Sequence, residues 1–177
     1  PLVVAEAPMG DYAAEAKALI QEFFGSLKAE LKSAINEAGP ANAIVVCQQR
    51  APAIADRLAA SSGWEVGRTS LRLRNKELNA PDDWERQVLQ SFEQRKTDGE
   101  DVKTMVHAEV LEDGAKYRFM KAIPTGDVCL LCHGQTIAPD LAAKLQEAYP
   151  EDEAVGYELG DIRGAFTLSK PLTAVSP

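Results

Sequence analysis

Cys129, Cys132 and His133 lie together in GDVCLLCHGQ, two thiols three positions apart with an imidazole directly after the second. Three chemistries use such a set. Cys-x-x-Cys-His is the pattern of covalent haem c attachment: the thiols reach the two haem vinyl groups as thioethers, and the histidine supplies an axial imidazole to the iron. Structural zinc takes four ligands. The segment offers three, with adjacent Cys132 and His133 crowding a tetrahedron, so Cys47 or His107 would have to complete it. A redox dithiol belongs at a strand-to-helix βαβ junction, yet this segment follows a hairpin pattern, and Pro124, Thr125 and Gly126 break the chain just before it. Haem c is the favoured reading: one covalent haem, held by Cys129 and Cys132, with His133 on the iron.

A second axial ligand has few sources. Cys47, His107, Met105, Met120 and Met9 are the candidates, with lysine, tyrosine or an open position as further options. His107 shares one strand face with Met105 and Glu109 and is read as a solvent-exposed or hydrogen-bonded histidine. Met120, beside Phe119, is read as core. Cys47 lies in the apolar helical stretch AIVVCQQRAPAIA, where a buried, inert thiol is the ordinary expectation.

The elements that must position these groups follow from hydrophobic spacing. Leu19, Ile20, Phe23, Phe24, Leu27, Leu31 and Ile35 predict one long helix over 12–38, capped by Asp11 and stopped at Gly39-Pro40. Phe23 and Phe24 are read as core packing. Residues 41–61 predict a second helical region, kinked or divided at Pro52 and ended at Gly63. Segment 64–74 alternates in part and opens a sheet. Asn79, Pro81 and Asp82 supply a turn and cap for a helix whose apolar face is Trp84, Val88, Leu89 and Phe92. Strands are predicted over 103–111 and 116–123, joined by a turn at Glu112-Asp113-Gly114-Ala115. The cysteine segment is read as a loop. A short helix over about 138–148, an acidic loop and a final strand from Ile162 complete the chain. Helices first, then a hairpin and a late strand, predict an α+β fold with an antiparallel sheet. A single domain spanning 1–177 with an N-terminal helical extension is expected.

Composition narrows the function classes. The chain has 177 residues, 45% hydrophobic and 26% charged, with a formal net charge of −8. That is ordinary globular composition, and its acidity disfavours nucleic acid and anionic membranes. No apolar run reaches membrane-spanning length. The opening PLVVAEA is compatible with the remnant of a trimmed export signal. Covalent haem attachment is completed outside the cytoplasm, so a bacterial periplasm, or another extracytoplasmic compartment such as a thylakoid lumen, is the expected location.

Several blocks carry a family resemblance. They are Cys47-Gln48 with Ala51-Pro52-Ala53-Ile54-Ala55, Gly63-Trp64 with Val66-Gly67-Arg68-Thr69-Ser70, and Leu73-Arg74-Asn75. Asn79-Ala80-Pro81-Asp82, Phe119 to Pro124, Cys129-Leu130-x-Cys132-His133-Gly134 and Gly160 to Phe166 follow in order. Together they resemble the PAS-like c-type haem domain family, catalogued as a domain of unknown function. Its members occur as small exported proteins and as sensor regions of bacterial signalling proteins. The resemblance implies a PAS-like sheet. It also implies axial ligation by the cysteine at the position of Cys47, opposite His133. Among the arginines near the sheet-forming segments (Arg68, Arg72, Arg74, Arg118 and Arg163), Arg68 and Arg74 lie inside these blocks. With Arg163 they are the favoured partners for the haem propionates.

Two ligands on the iron leave no free substrate position, so electron transfer or redox response is expected. A haem-based sensor of redox state, NO or CO, signalling through a separate partner, is the alternative. An enzyme is not expected: no paired carboxylates or further histidine constellation accompany the motif, and the glycines form no dinucleotide fingerprint. The partner expected is a separate redox or signalling protein, with self-association left open.

Overall fold

The structure is a computed structural model and describes residues 9–111 and 115–172. Helix α1 (Met9–Ala38) is the predicted long helix, begun one turn earlier, so Asp11 lies within the first turn. Its buried stripe is Ala16, Ile20, Phe23, Leu27 and Ala34. The second helical region keeps one path through α2 (Asn42–Val45), a π-helical turn (Val46–Arg50) and α3 (Ala51–Ser62). Pro52 divides this region as expected, but without a sharp break. The Ala51 amide reaches back to the Val46 carbonyl, five residues away, and Pro52 falls in the first turn of α3, where a missing N–H needs no helical partner. Gly63 closes α3 in the left-handed conformation at φ 73°, which a side chain would disfavour.

Strand β1 (Glu65–Thr69) is followed by the short helix α4 (Lys76–Asn79) and by α5 (Asp83–Thr97). Asp82 caps α5 as predicted, in a reciprocal capping box with Glu85. Strands β2 (Val106–Leu111) and β3 (Lys116–Pro124) are the predicted pair. β2 begins later than expected because Asp101 accepts from the Lys103 amide and winds Val102–Thr104 into a 3-10 turn. The Glu112, Asp113 and Gly114 part of the predicted turn lies outside the described residues, as do PLVVAEA and the Met9 side chain. Helices α6 (Asp127–His133) and α7 (Pro139–Ala148) precede β4 (Ile162–Pro171).

The sheet is antiparallel with order β1-β4-β3-β2. The fold is thus α+β and PAS-like. Alternation along β3 divides the core. Tyr117 and Phe119 join Phe166 and Leu168 beneath α1 and α3. Met120 and Ala122 pack beneath α5 with Val88, Leu89 and Phe92.

Candidate functional site

The Pro124–Gly126 break is followed by helix rather than loop, so the cysteine segment is α6. Cys129 and Cys132 are three positions apart on it and therefore neighbours on one face. A Cβ on Gly134 would stand 2.5 Å from the Leu130 carbonyl oxygen. Only glycine lets the chain leave α6 that closely. The acidic loop then returns alongside: the Tyr157 amide donates to the His133 carbonyl at 2.9 Å and the Gly156 amide to the Gly134 carbonyl at 3.0 Å.

This return fixes the imidazole. His133 Nδ1 lies 2.6 Å from the Ala154 carbonyl oxygen. A carbonyl can only accept, so Nδ1 carries the proton and Nε2 keeps its lone pair. Arg163 Nε donates to that Nε2 at 3.3 Å, and Arg74 Nη1 approaches it at 3.5 Å. Burial, with the Arg163 and Arg74 guanidinia, pushes the His133 pKa down to about 2. The ring is neutral at ordinary pH, the form a metal ligand needs.

A cavity of about 350 Å³ opens between α1, the π-helical turn, β1, α6 and Arg163. Cys47, Cys129, Cys132 and His133 all line it, together with Arg68, Arg74 and Arg163. These are the seven residues the sequence singled out, gathered from segments as far apart as the π-helical turn and β4. The other axial candidates lie elsewhere. Met105 and Met120 are fully buried under α5. His107 stacks near Trp84 and faces Glu109 at 3.6 Å. Cys129, Cys132, His133 and Cys47 share the cavity, but among the described residues no three His, Cys, Asp or Glu side chains stand close enough together to hold one metal ion, so the tetrahedral set that structural zinc requires is not assembled.

The cavity wall corrects one expectation. Phe23 is core, but Phe24 is 48% exposed and lines the cavity. Leu78, Val128 and Leu131 share its position, each between 44% and 61% exposed. Large apolar side chains grouped around one concavity mark a place for an apolar ligand.

Charge is distributed unevenly around it. Arg68 lies over the Phe23 ring at 5.4 Å and has no ion-pair partner among the described residues. Burial lowers its pKa, and that of Arg163. Arg163 also donates to Ser70 Oγ at 3.2 Å. Burial raises the Cys47 thiol pKa, against the pull of Arg68, Arg74 and Arg163. Arg118 takes no part: it bridges Asp82 at 2.7 Å and Glu85 at 2.9 Å on the α5 side. Arg72 stacks on Tyr157 at 3.9 Å, outside the cavity. Sequence reasoning missed Ala154 and Asp152. Ala154 acts through its backbone, which no residue type announces, and Asp152 looked like one acid among several in a loop.

The Tll0287-like family (Tll0287) matches this chain over residues 6–171. No curated protein matches it. The crystal structure of the cyanobacterial heme-protein Tll0287 superposes with a TM-score of 0.67 at 24% identity, covering 95% of this chain and 97% of that one. With the family match spanning nearly its whole length, the chain belongs to the Tll0287-like family.

Proposed function

We propose that this protein binds one haem c covalently and serves in electron transfer or redox response. The observation that carries the reading is the convergence of Cys129, Cys132, His133 and Cys47 on one apolar cavity with three arginines at its wall. The donor set fits haem: two thiols for thioethers, a neutral imidazole with its Nε2 lone pair free of a proton, and guanidinia for propionates. Similarity to a protein described as a cyanobacterial heme-protein supports it.

In this reading Cys129 and Cys132 would tether the group, and His133 Nε2 and Cys47 would supply ligands to its iron. Arg68 and Arg163, with Arg74 beside them, would pair with its propionates, and Phe24, Val128 and Leu131 would exclude water from it. Haem, when bound, supplies a one-electron iron couple whose potential its ligands and burial set. Location outside the cytoplasm follows from covalent attachment, and the partner is a separate redox or signalling protein. The role is read as non-enzymatic, since the close carboxylates Asp82 and Glu85 are engaged by Arg118 away from the cavity.

One observation favours a sensing variant of the same site. Cys47 lies on a π-helical turn, a geometry that recurs at functional positions, so loss of its ligation would open the site to NO or CO. Absorption of the purified protein, recorded before and after dithionite and then under CO, tests both. A ferric low-spin thiolate spectrum that ignores CO after reduction favours electron transfer. Loss of the thiolate signature with prompt CO binding favours sensing. A purified protein without a haem band, even after haem-competent expression, refutes the proposal.

A further inference from the structure

Beside His133 lies an ion pair between Arg74 and Asp152, an acidic-loop residue outside every motif block. Asp152 and Arg74 side chains are 8% and 9% exposed and meet at 2.8 Å. The pair is built into the histidine's support. Asp152 Oδ2 accepts from Arg74 Nε at 2.9 Å, and Oδ1 accepts from the Ala154 amide at 2.8 Å. Arg74 Nη2 donates to the Cys132 carbonyl at 2.6 Å and to the Ala154 carbonyl at 3.3 Å. The same Ala154 carbonyl takes the His133 Nδ1 proton. Loop 149–161 is held to the Arg74 segment a second time, by the Glu153 amide on the Leu73 carbonyl at 2.8 Å.

We infer that the Asp152–Arg74 pair positions His133 and sets the charge felt at its ring; this deepens the haem reading and rests on it. Two consequences follow from the geometry. Asp152 pins the Ala154 amide, and Arg74, which it holds, braces through Nη2 the Ala154 carbonyl of the next peptide, the one that orients the imidazole. Arg74 brings a cation to that carbonyl and to within 3.5 Å of His133 Nε2, and Asp152 neutralises it. Hydrogen-bonded partners behind a ligating histidine tune both its orientation and its basicity. Ferric iron carries one more positive charge than ferrous, so an uncompensated guanidinium here disfavours the ferric state. Asp152 is therefore a positioning residue with an electrostatic role.

The test is the midpoint potential of the holoprotein, wild type against Asp152→Asn, Arg74→Gln and the double variant. Covalent haem is first confirmed in each by haem staining after denaturation. Asp152→Asn leaves the guanidinium uncompensated and moves the ferrous/ferric ratio about tenfold toward ferrous, a rise of about 59 mV for a one-electron couple. Arg74→Gln moves it the opposite way. The double variant, neutral at both positions, returns toward wild type. A purely structural pair moves both single variants in the same direction and the double variant furthest. That pattern, or no shift in either single variant, overturns the inference while leaving the haem reading intact. If only one single variant folds, the sign of its shift alone decides. Absence of covalent haem from the wild type fails the haem reading itself, and the inference falls with it.

Discussion

The two faces of the sheet use similar apolar residues for different ends. Beneath α5 the core is closed: Phe92, Met105 and Met120 are fully buried, and Arg118 is neutralised by Asp82 and Glu85 beside it. Beneath α1 and α3 the packing stops short. Phe24, Leu78, Val128 and Leu131 border an open cavity, and Arg68 stands there without an ion-pair partner among the described residues. A face that leaves apolar surface and buried cations uncompensated is incomplete as a core. Its deficits describe what would complete it: an apolar group with acidic substituents. The closed face holds the fold, and the open face is organised for a ligand.

Substitutions on the two faces sharpen this contrast. The largest effect belongs to the open face. Cys129→Ala with Cys132→Ala abolishes covalent haem, read as loss of haem stain from the denatured polypeptide; retained stain would break the motif reading. Next is Phe92→Ala on the closed face, expected to cost about 3–5 kcal/mol in urea denaturation. The same change at Phe24 costs below about 1 kcal/mol in the haem-free chain and instead weakens haem retention. Equal losses at the two positions would erase the distinction between the faces. Cys47→Ser keeps covalent haem but alters the ferric spectrum and raises the potential, because thiolate donation favours ferric iron; an unchanged spectrum removes Cys47 from the iron.

The smallest effect is a pH dependence on the closed side. Burial pushes the Asp82 carboxyl up, and the Glu85 amide with the Arg118 guanidinium outweighs it, so its pKa lies below the ordinary value. A carboxyl lowered on folding stabilises fully above its unfolded pKa, about 3.9. That contribution is lost as the pH falls through the lower folded value. Asp82→Ala should therefore cost about 1 kcal/mol at neutral pH, as a lost cap, and the gap to wild type should narrow below about pH 4. A gap that stays constant to pH 2 in denaturation curves contradicts this account of Asp82.

Much of the frame was legible because its signals are local. The spacing of Ile20, Phe23 and Leu27 writes α1, the Asp82–Glu85 box starts α5, and alternation along Tyr117–Ala122 writes β3. Other features needed the folded chain. Phe23 and Phe24 carry equal sequence weight and both border the cavity, and only their rotation about α1 buries Phe23 in the core and leaves Phe24 exposed. Helix α6 is about two turns between Gly126 and Gly134, too short for periodicity to declare. Arg74 meets Asp152 across 78 positions, a pairing set by the path of two loops. Cys47 was singled out by family resemblance; its spacing alone matched an inert core thiol.

The most direct measurement is the intact mass of the purified protein after acid denaturation and organic extraction. The account predicts that haem stays with the polypeptide, adding one haem to its mass, with both Cys129 and Cys132 unavailable to a thiol reagent. Haem passing entirely into the organic phase, leaving a polypeptide of unmodified mass with two reactive thiols in α6, would contradict it.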